Sequence, residues 1–148
     1  MVDLKYKHSA LSEQVIGCAL RVHTALGHGF PEVIYQRSLE IELKLAGVIF
    51  EREVEQPVYY RDIKVGSRRV DFLVGEMLLV ELKAASEILL AHKSQVLNYL
   101  TAYKLSVALI LNFGQPSLAI KRLVPDEPHY ENMTPNASSR GSFLIDFI

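Results

Sequence analysis

The sequence predicts an α/β domain in which helices pack against a central mixed β-sheet. Three observations predict it. Two segments with helical apolar spacing open the chain, the period turns strand-like at residue 48, and a third helical segment precedes two last short strands. The expected order is helix, helix, a run of antiparallel strands, helix, strand, strand.

Residues 9–26 carry apolar side chains at Leu11, Val15, Ile16, Ala19, Leu20 and Leu26, with Ser9 placed to cap the helix and Gly27 to stop it. Cys18 and His23 fall in or beside that stripe and read as packing residues. Pro31 suits the first position of a second helix over 31–46, ended by Gly47. On it Glu32, Tyr35 and Gln36 share a face at i, i+3 and i+4. Taken alone, Glu32 reads as an acid favoured by the helix dipole, and His28 as a solvated loop histidine. Residues 48–55 and 58–65 read as strands joined near Gln56-Pro57 and ending at Gly66-Ser67. Two apolar runs around Gly75-Glu76 then suggest a hairpin within 68–84. Ser86 can cap a third helix over 87–103, with Ile88, His92, Gln95 and Tyr99 along one side. Residues 106–113 form a dense apolar run, hence a buried strand, and 118–123 a last strand.

The chain of 148 residues suits one domain with a genuine core. One cysteine excludes a disulfide framework and a zinc-thiolate site. No apolar run reaches membrane-spanning length and no signal peptide opens the chain, so a cytoplasmic compartment without membrane contact is expected. A net charge of −1 argues against non-specific coating of nucleic acid, while leaving room for a basic rim formed by Lys64, Arg68, Arg69, Lys93, Lys104, Lys121 and Arg122.

Within the hairpin stand three charges that a buried sheet normally excludes: Asp71, Glu81 and Lys83. Glu81 and Lys83 are two apart and share a strand face, while Leu78, Val80 and Leu82 point the other way. If Val74 pairs with Leu78 and Phe72 with Val80, Asp71 lands beside Glu81. A two-residue turn would instead put Asp71 among core side chains. The expectation is therefore an odd-length connection, or a two-residue turn corrected by a bulge. Two carboxylates and an ammonium on one patch suit a hard divalent cation and phosphodiester chemistry. The same spacing also suits a strand-edge salt bridge between Lys83 and either acid.

The chain resembles the GxxExxY proteins, a family within the PD-(D/E)XK nuclease-like superfamily. The resemblance begins with Gly29-Phe30-Pro31-Glu32-Val33-Ile34-Tyr35. It continues through Val70-Asp71-Phe72-Leu73-Val74, Val80-Glu81-Leu82-Lys83-Ala84 and the run from His92 to Leu100. It ends with Leu111-Asn112-Phe113-Gly114 and Lys121-Arg122-Leu123. It implies a restriction-endonuclease-like core over 1–124, followed by an extension over 125–148. It implies that Asp71 and Glu81 hold Mg²⁺ or Mn²⁺, that the Leu82 carbonyl completes the coordination, and that Lys83 acts beside it. Glu32 matches the acid that RecB-like nucleases bring to the same site, and Gln95 and Tyr99 match their Q-x-x-x-Y helix. His28 and Glu32 also resemble the H-x-x-x-E spacing of those nucleases, which would make His28 a ligand.

The function expected from this resemblance is a metal-dependent nuclease with nucleic acid, DNA before RNA, as its partner. The alternative is a nucleic-acid- or protein-binding module that keeps the fold and does not cleave, or cleaves only with a partner. The apolar end from Phe143 to Ile148 is expected to be buried, on its own domain or across a homodimer interface.

Overall fold

A computed structural model of the chain describes residues 9–125. The expectations placed on the opening residues and on the tail lie outside the described residues. The elements are α1 (Ser9–Leu26), α2 (Glu32–Leu45), β1 (Phe50–Tyr60), β2 (Ile63–Val74), β3 (Leu78–Lys83), α3 (Leu90–Tyr103), β4 (Val107–Asn112) and β5 (Ala119–Leu123). The strands form one sheet in the order β1-β2-β3-β4-β5. Only β3 and β4 run parallel, linked by α3 as a crossover, so the sheet is mixed as expected.

The two central strands explain their own composition. β4 is buried at all six positions and β3 at five of six, because helices cover both faces there. On one face α1 and α2 pack Val15, Cys18, Tyr35 and Leu39 against Phe72, Val80, Leu109 and Phe113. On the other, α3 packs Val96, Tyr99 and Leu100 against Leu79, Ala108 and Ile110. Cys18 and His23 are buried packing residues, and the His23 Nε2 meets the Gln115 carbonyl at 2.8 Å.

Three boundaries differ from the sequence reading. The chain does not break at Gln56-Pro57 or at Gly66-Ser67. β1 and β2 run through both as one long hairpin, turning at Arg61 and Asp62 with φ of 49° and 64°. Pro57 is tolerated inside β1 because β1 is the sheet edge, and Gly66 sits next to a register shift between Val58 and Tyr59. α3 starts three residues later than expected, and Ser86 does not cap it. The Gln115 Nε2 donates to the Ser86 carbonyl at 2.6 Å, and the Asn112 side chain holds both the amide and the carbonyl of Ala85. Residues 85–86 are thus tied to the end of β4. The helix opens at Leu89, whose N–H donates to His92 Nδ1 at 3.1 Å.

The end of β3 depends on this fastening. Phe113 N–H donates to the Lys83 carbonyl at 2.8 Å, and the buried Asn112 amide grips the next turn of chain. Gly114 lies so close to the Ala84–Ala85 backbone that a Cβ there would collide with it. Gly114→Ala is therefore expected to lower stability in urea by about 1–3 kcal/mol, as overpacking against backbone does. Gly66→Ala, where nothing lies within 4 Å of the added carbon, should change it by less than about 0.5 kcal/mol.

Candidate active site

Pairing between β2 and β3 sets the site. Val74 pairs with Leu78, Leu73 with Leu79 and Phe72 with Val80, the register that places Asp71 on the side of Glu81. Gly75 and Glu76 both have positive φ, and Met77 N–H donates to the Val74 carbonyl at 3.1 Å. That is a tight turn with Met77 as the extra residue, which gives the odd-length connection.

Beyond Phe72 the ladder stops and the carboxylates take over. Leu82 N–H donates to Asp71 Oδ2 at 2.8 Å, and Asp71 N–H donates to Glu81 Oε1 at 3.0 Å. The cause lies in β2 itself. Val70 packs on the α3 side, whereas Phe72 and Val74 pack on the α1/α2 side. Residues two apart on a regular strand share a face, so β2 changes face at Asp71. Opposite that point, Glu53 of β1 has a φ of 54° and drops out of the register between Arg52–Phe72 and Val54–Val70.

A second network holds Asp71 from α2. Gln36 Nε2 donates to Asp71 Oδ1 at 2.7 Å, while Arg52 Nη1 donates to Gln36 Oε1 at 3.2 Å. Arg52 also pairs with Glu40. With its oxygen taken by arginine, the Gln36 amide must turn its nitrogen to the carboxylate. Gln36 was not singled out for the site from sequence, although its position one helical turn after Glu32 was the available signal. Nothing in the sequence marked Arg52.

Glu32, Val33, Gln36, Glu53 and Asp71 line an open cleft of ≈ 260 Å³. Glu32 stands at its accessible mouth. Desolvation raises its carboxyl above the usual range, Lys83 opposes this and Asp71 reinforces it, so the three groups share one field. The placement of Glu32 follows from Tyr35. Stacked on Phe113 at 4.6 Å, Tyr35 donates its hydroxyl to the Gly27 carbonyl at 2.6 Å and accepts from Phe30 N–H at 3.2 Å. The loop before α2 is pinned from the core, and Glu32, in the first turn of α2, is placed with it.

The electrostatics are those of two acids crowded together in a desolvated place. Burial, and next the Asp71 charge, push Glu81 up to about 8. Burial also raises Asp71, against the opposing pull of the Leu82 N–H, Gln36, the Glu81 carboxyl within hydrogen-bond reach, and Lys83. From α3, Tyr99 faces the same patch: burial raises its hydroxyl, and Arg68, Glu81 and Asp71 all act on it. His92, not chosen from the sequence, lies within reach of Lys83; burial lowers its pKa and the lysine lowers it further. Gln95 is half-buried one turn before Tyr99 and makes no hydrogen bond to the carboxylates among the described residues. His28 is exposed in the loop and makes none either.

Among the described residues, no group of three or more His, Cys, Asp or Glu side chains is gathered to hold a metal ion. The donors that do converge are two carboxylates and the adjoining backbone. Each Asp71 oxygen accepts one hydrogen bond and Glu81 Oε1 one, which leaves lone pairs on hard oxygen atoms. Such a set suits Mg²⁺ or Mn²⁺ in chemistry, and a dication would relieve the repulsion between the two acids.

The fold is that of a nuclease-like domain. The chain belongs to the PD-(D/E)XK nuclease superfamily, whose family model matches residues 9–123. Among solved structures it is similar to the crystal structure of SSO0001, at 18% identity and a TM-score of 0.56, over 96% of this chain and 66% of that one. At that identity the likeness shows the restriction-endonuclease-like fold. A search of curated proteins returned no match. No described helix is long and apolar enough to cross a membrane.

With Glu81 raised from 4.5 to about 8, this group holds its proton in the folded protein between those values while the unfolded chain loses it. Its contribution to stability is then full below pH 4.5 and is lost as pH rises through about 8. Urea midpoints measured in chelator should show this fall for the wild type. Glu81→Gln, which keeps the acceptor for the Asp71 N–H, should flatten it.

Proposed function

We propose that this protein is a Mg²⁺- or Mn²⁺-dependent nuclease that hydrolyses phosphodiester bonds, with DNA as its substrate. One observation carries the reading: Asp71 and Glu81 converge, beside Lys83, where two strands of a nuclease-superfamily fold part. Asp71, Glu81 and the Leu82 carbonyl would hold the ion, with Glu32 reaching from the cleft mouth. A bound dication supplies a polarised phosphoryl oxygen and a water acidic enough to attack.

The chain's own residues do the rest. Gln36 and the Leu82 N–H keep the Asp71 carboxylate oriented, so its free lone pairs need no reorganisation on binding. Lys83 places its ammonium beside the acids, where it can position the water or neutralise charge building on the phosphoryl oxygens. Tyr99 faces that patch from α3, with Gln95 one turn before it on the helix. The carboxylates also serve backbone N–H groups, and this observation favours the second reading, a binding module that keeps the fold without cleaving. Metal binding discriminates between the two.

The test is a panel of single-stranded, duplex, branched and RNA substrates with Mg²⁺ and Mn²⁺. Lys83→Ala should keep metal affinity and lose at least about 100-fold in rate, the scale of one electrostatic or proton-transfer group. Asp71→Asn should lose both metal and cleavage. Full activity in purified Lys83→Ala protein would contradict the role given to the lysine.

A further inference from the structure

The outer half of the fold's longest hairpin extends beyond the site so far described. β3 pairs with β2 only up to Phe72, so residues 54–60 and 63–70 continue as a two-stranded ribbon beyond the sheet. At roughly 3.3 Å per residue this ribbon is about 20 Å long. Its root rests on α3, where the Tyr103 hydroxyl donates to the Val54 carbonyl at 3.4 Å. Its outer part stands in solvent, with Tyr59 50%, Ile63 68% and Val65 60% exposed.

Charge on the ribbon differs from charge on the chain. Residues 54–70 carry four basic and two acidic side chains, in a protein of net charge −1. Arg61, Lys64, Arg68 and Arg69 form no ion pair among the described residues. Of the two acids, Glu55 accepts from the Ser67 hydroxyl at 2.6 Å and also lies in the field of Arg69 and Lys64. Arg68 lies over the Tyr99 ring, 5.6 Å from its centroid, on the hydroxyl that senses Asp71 and Glu81. Arg68 thus stands beside the carboxylates on the α3 side, Arg69 next to it on the strand faces the opposite side of the ribbon, and Arg61 stands at the tip, so basic groups flank the ribbon on both faces.

We propose that the β1–β2 ribbon is the arm that seats duplex DNA at the carboxylates, with Arg68 at its root and Arg61, Lys64 and Arg69 as phosphate contacts along it. The inference deepens the nuclease reading and rests on it for the direction in which the duplex runs. A two-stranded ribbon fits the major groove of B-form DNA, about 12 Å wide, while the deep, narrow major groove of duplex RNA excludes it. On the ribbon the exposed aromatics are Tyr59 and Tyr60 at the tip, too few for the stacking platform that single strands require. A second copy pairing with the open edge of β1 is disfavoured by Pro57, which interrupts the row of N–H donors in mid-strand.

The test uses the full chain and a chelator, so that binding is read without cleavage. Fluorescence anisotropy would compare labelled duplex DNA, duplex RNA and single-stranded DNA of one sequence over a range of salt. The variant combines Arg61→Ser, Lys64→Ser and Arg69→Ser, none of which touches Gln36, Asp71, Glu81 or Lys83. The wild type should prefer duplex DNA. The variant should bind it at least tenfold more weakly, with a log–log salt slope shallower by up to about 2.7, at roughly 0.9 per phosphate contact. Unchanged affinity and slope in the variant, equal binding of duplex RNA, a preference for single strands, or loss of self-association alone would overturn the proposal. Mn²⁺ affinity separates it from the reading beneath. A wild type that binds duplex through the ribbon but neither holds Mn²⁺ nor cleaves sinks the nuclease and leaves the arm. A variant that cleaves and binds like wild type sinks the arm and leaves the nuclease.

Discussion

Two strands that part while still needing their hydrogen bonds impose the constraint on which this structure depends. Past Phe72 and Val80 the β2–β3 ladder ends, yet the N–H groups of Asp71 and Leu82 remain inside the protein. An unmet buried donor costs about 1–3 kcal/mol, so a side chain must supply the acceptor. Asp71 and Glu81 do so, and the solution creates its own problem: two acids held together in a desolvated place. Glu81 shifts towards its neutral form in response. A proton, the Lys83 ammonium or a dication can each relieve the repulsion, which makes a structural repair a site for chemistry.

The surrounding elements keep that arrangement from relaxing. Tyr35 fills the core against Phe113 and fixes the loop before α2, which sets where Glu32 stands and aims Gln36 at Asp71. Asn112 and the bare backbone of Gly114 hold the chain just after Lys83 against the end of β4. Both anchors are buried and lie away from the cleft. Substitutions there would disturb the carboxylates without touching them, and their cost would register in stability as well as in function.

Much of this was legible in the sequence because it followed from periodicity and parity. The order of elements, the apolar faces of β3 and β4, and the register of the β2–β3 hairpin were fixed by which side chains must be buried. What parity could not reveal was the face change at Asp71, since it arises from the backbone of β1 and β2 together and shows as a positive φ at Glu53. Pro57 and Gly66 suggested strand ends, but Pro57 lies in the edge strand and Gly66 in the part of β2 that β3 does not pair, while Arg61 and Asp62 carry no strong turn signature. Gln36, Arg52 and Asn112 were hidden because long-range polar pairs leave no local pattern. Gln95, by contrast, was chosen by resemblance, and the structure gives it no bond to the acids.

The central claim is that the parted strands around Asp71, Glu81 and Leu82 form a dication site. Sub-stoichiometric Mn²⁺ added to ¹⁵N-labelled protein tests it most directly, because a paramagnetic ion broadens the amide resonances nearest to it. Selective loss of the Asp71, Glu81 and Leu82 signals, abolished in Asp71→Asn, is the predicted result. Broadening centred elsewhere, for instance on the surface acids Glu40 and Glu42, or no selective broadening at all, would contradict the account.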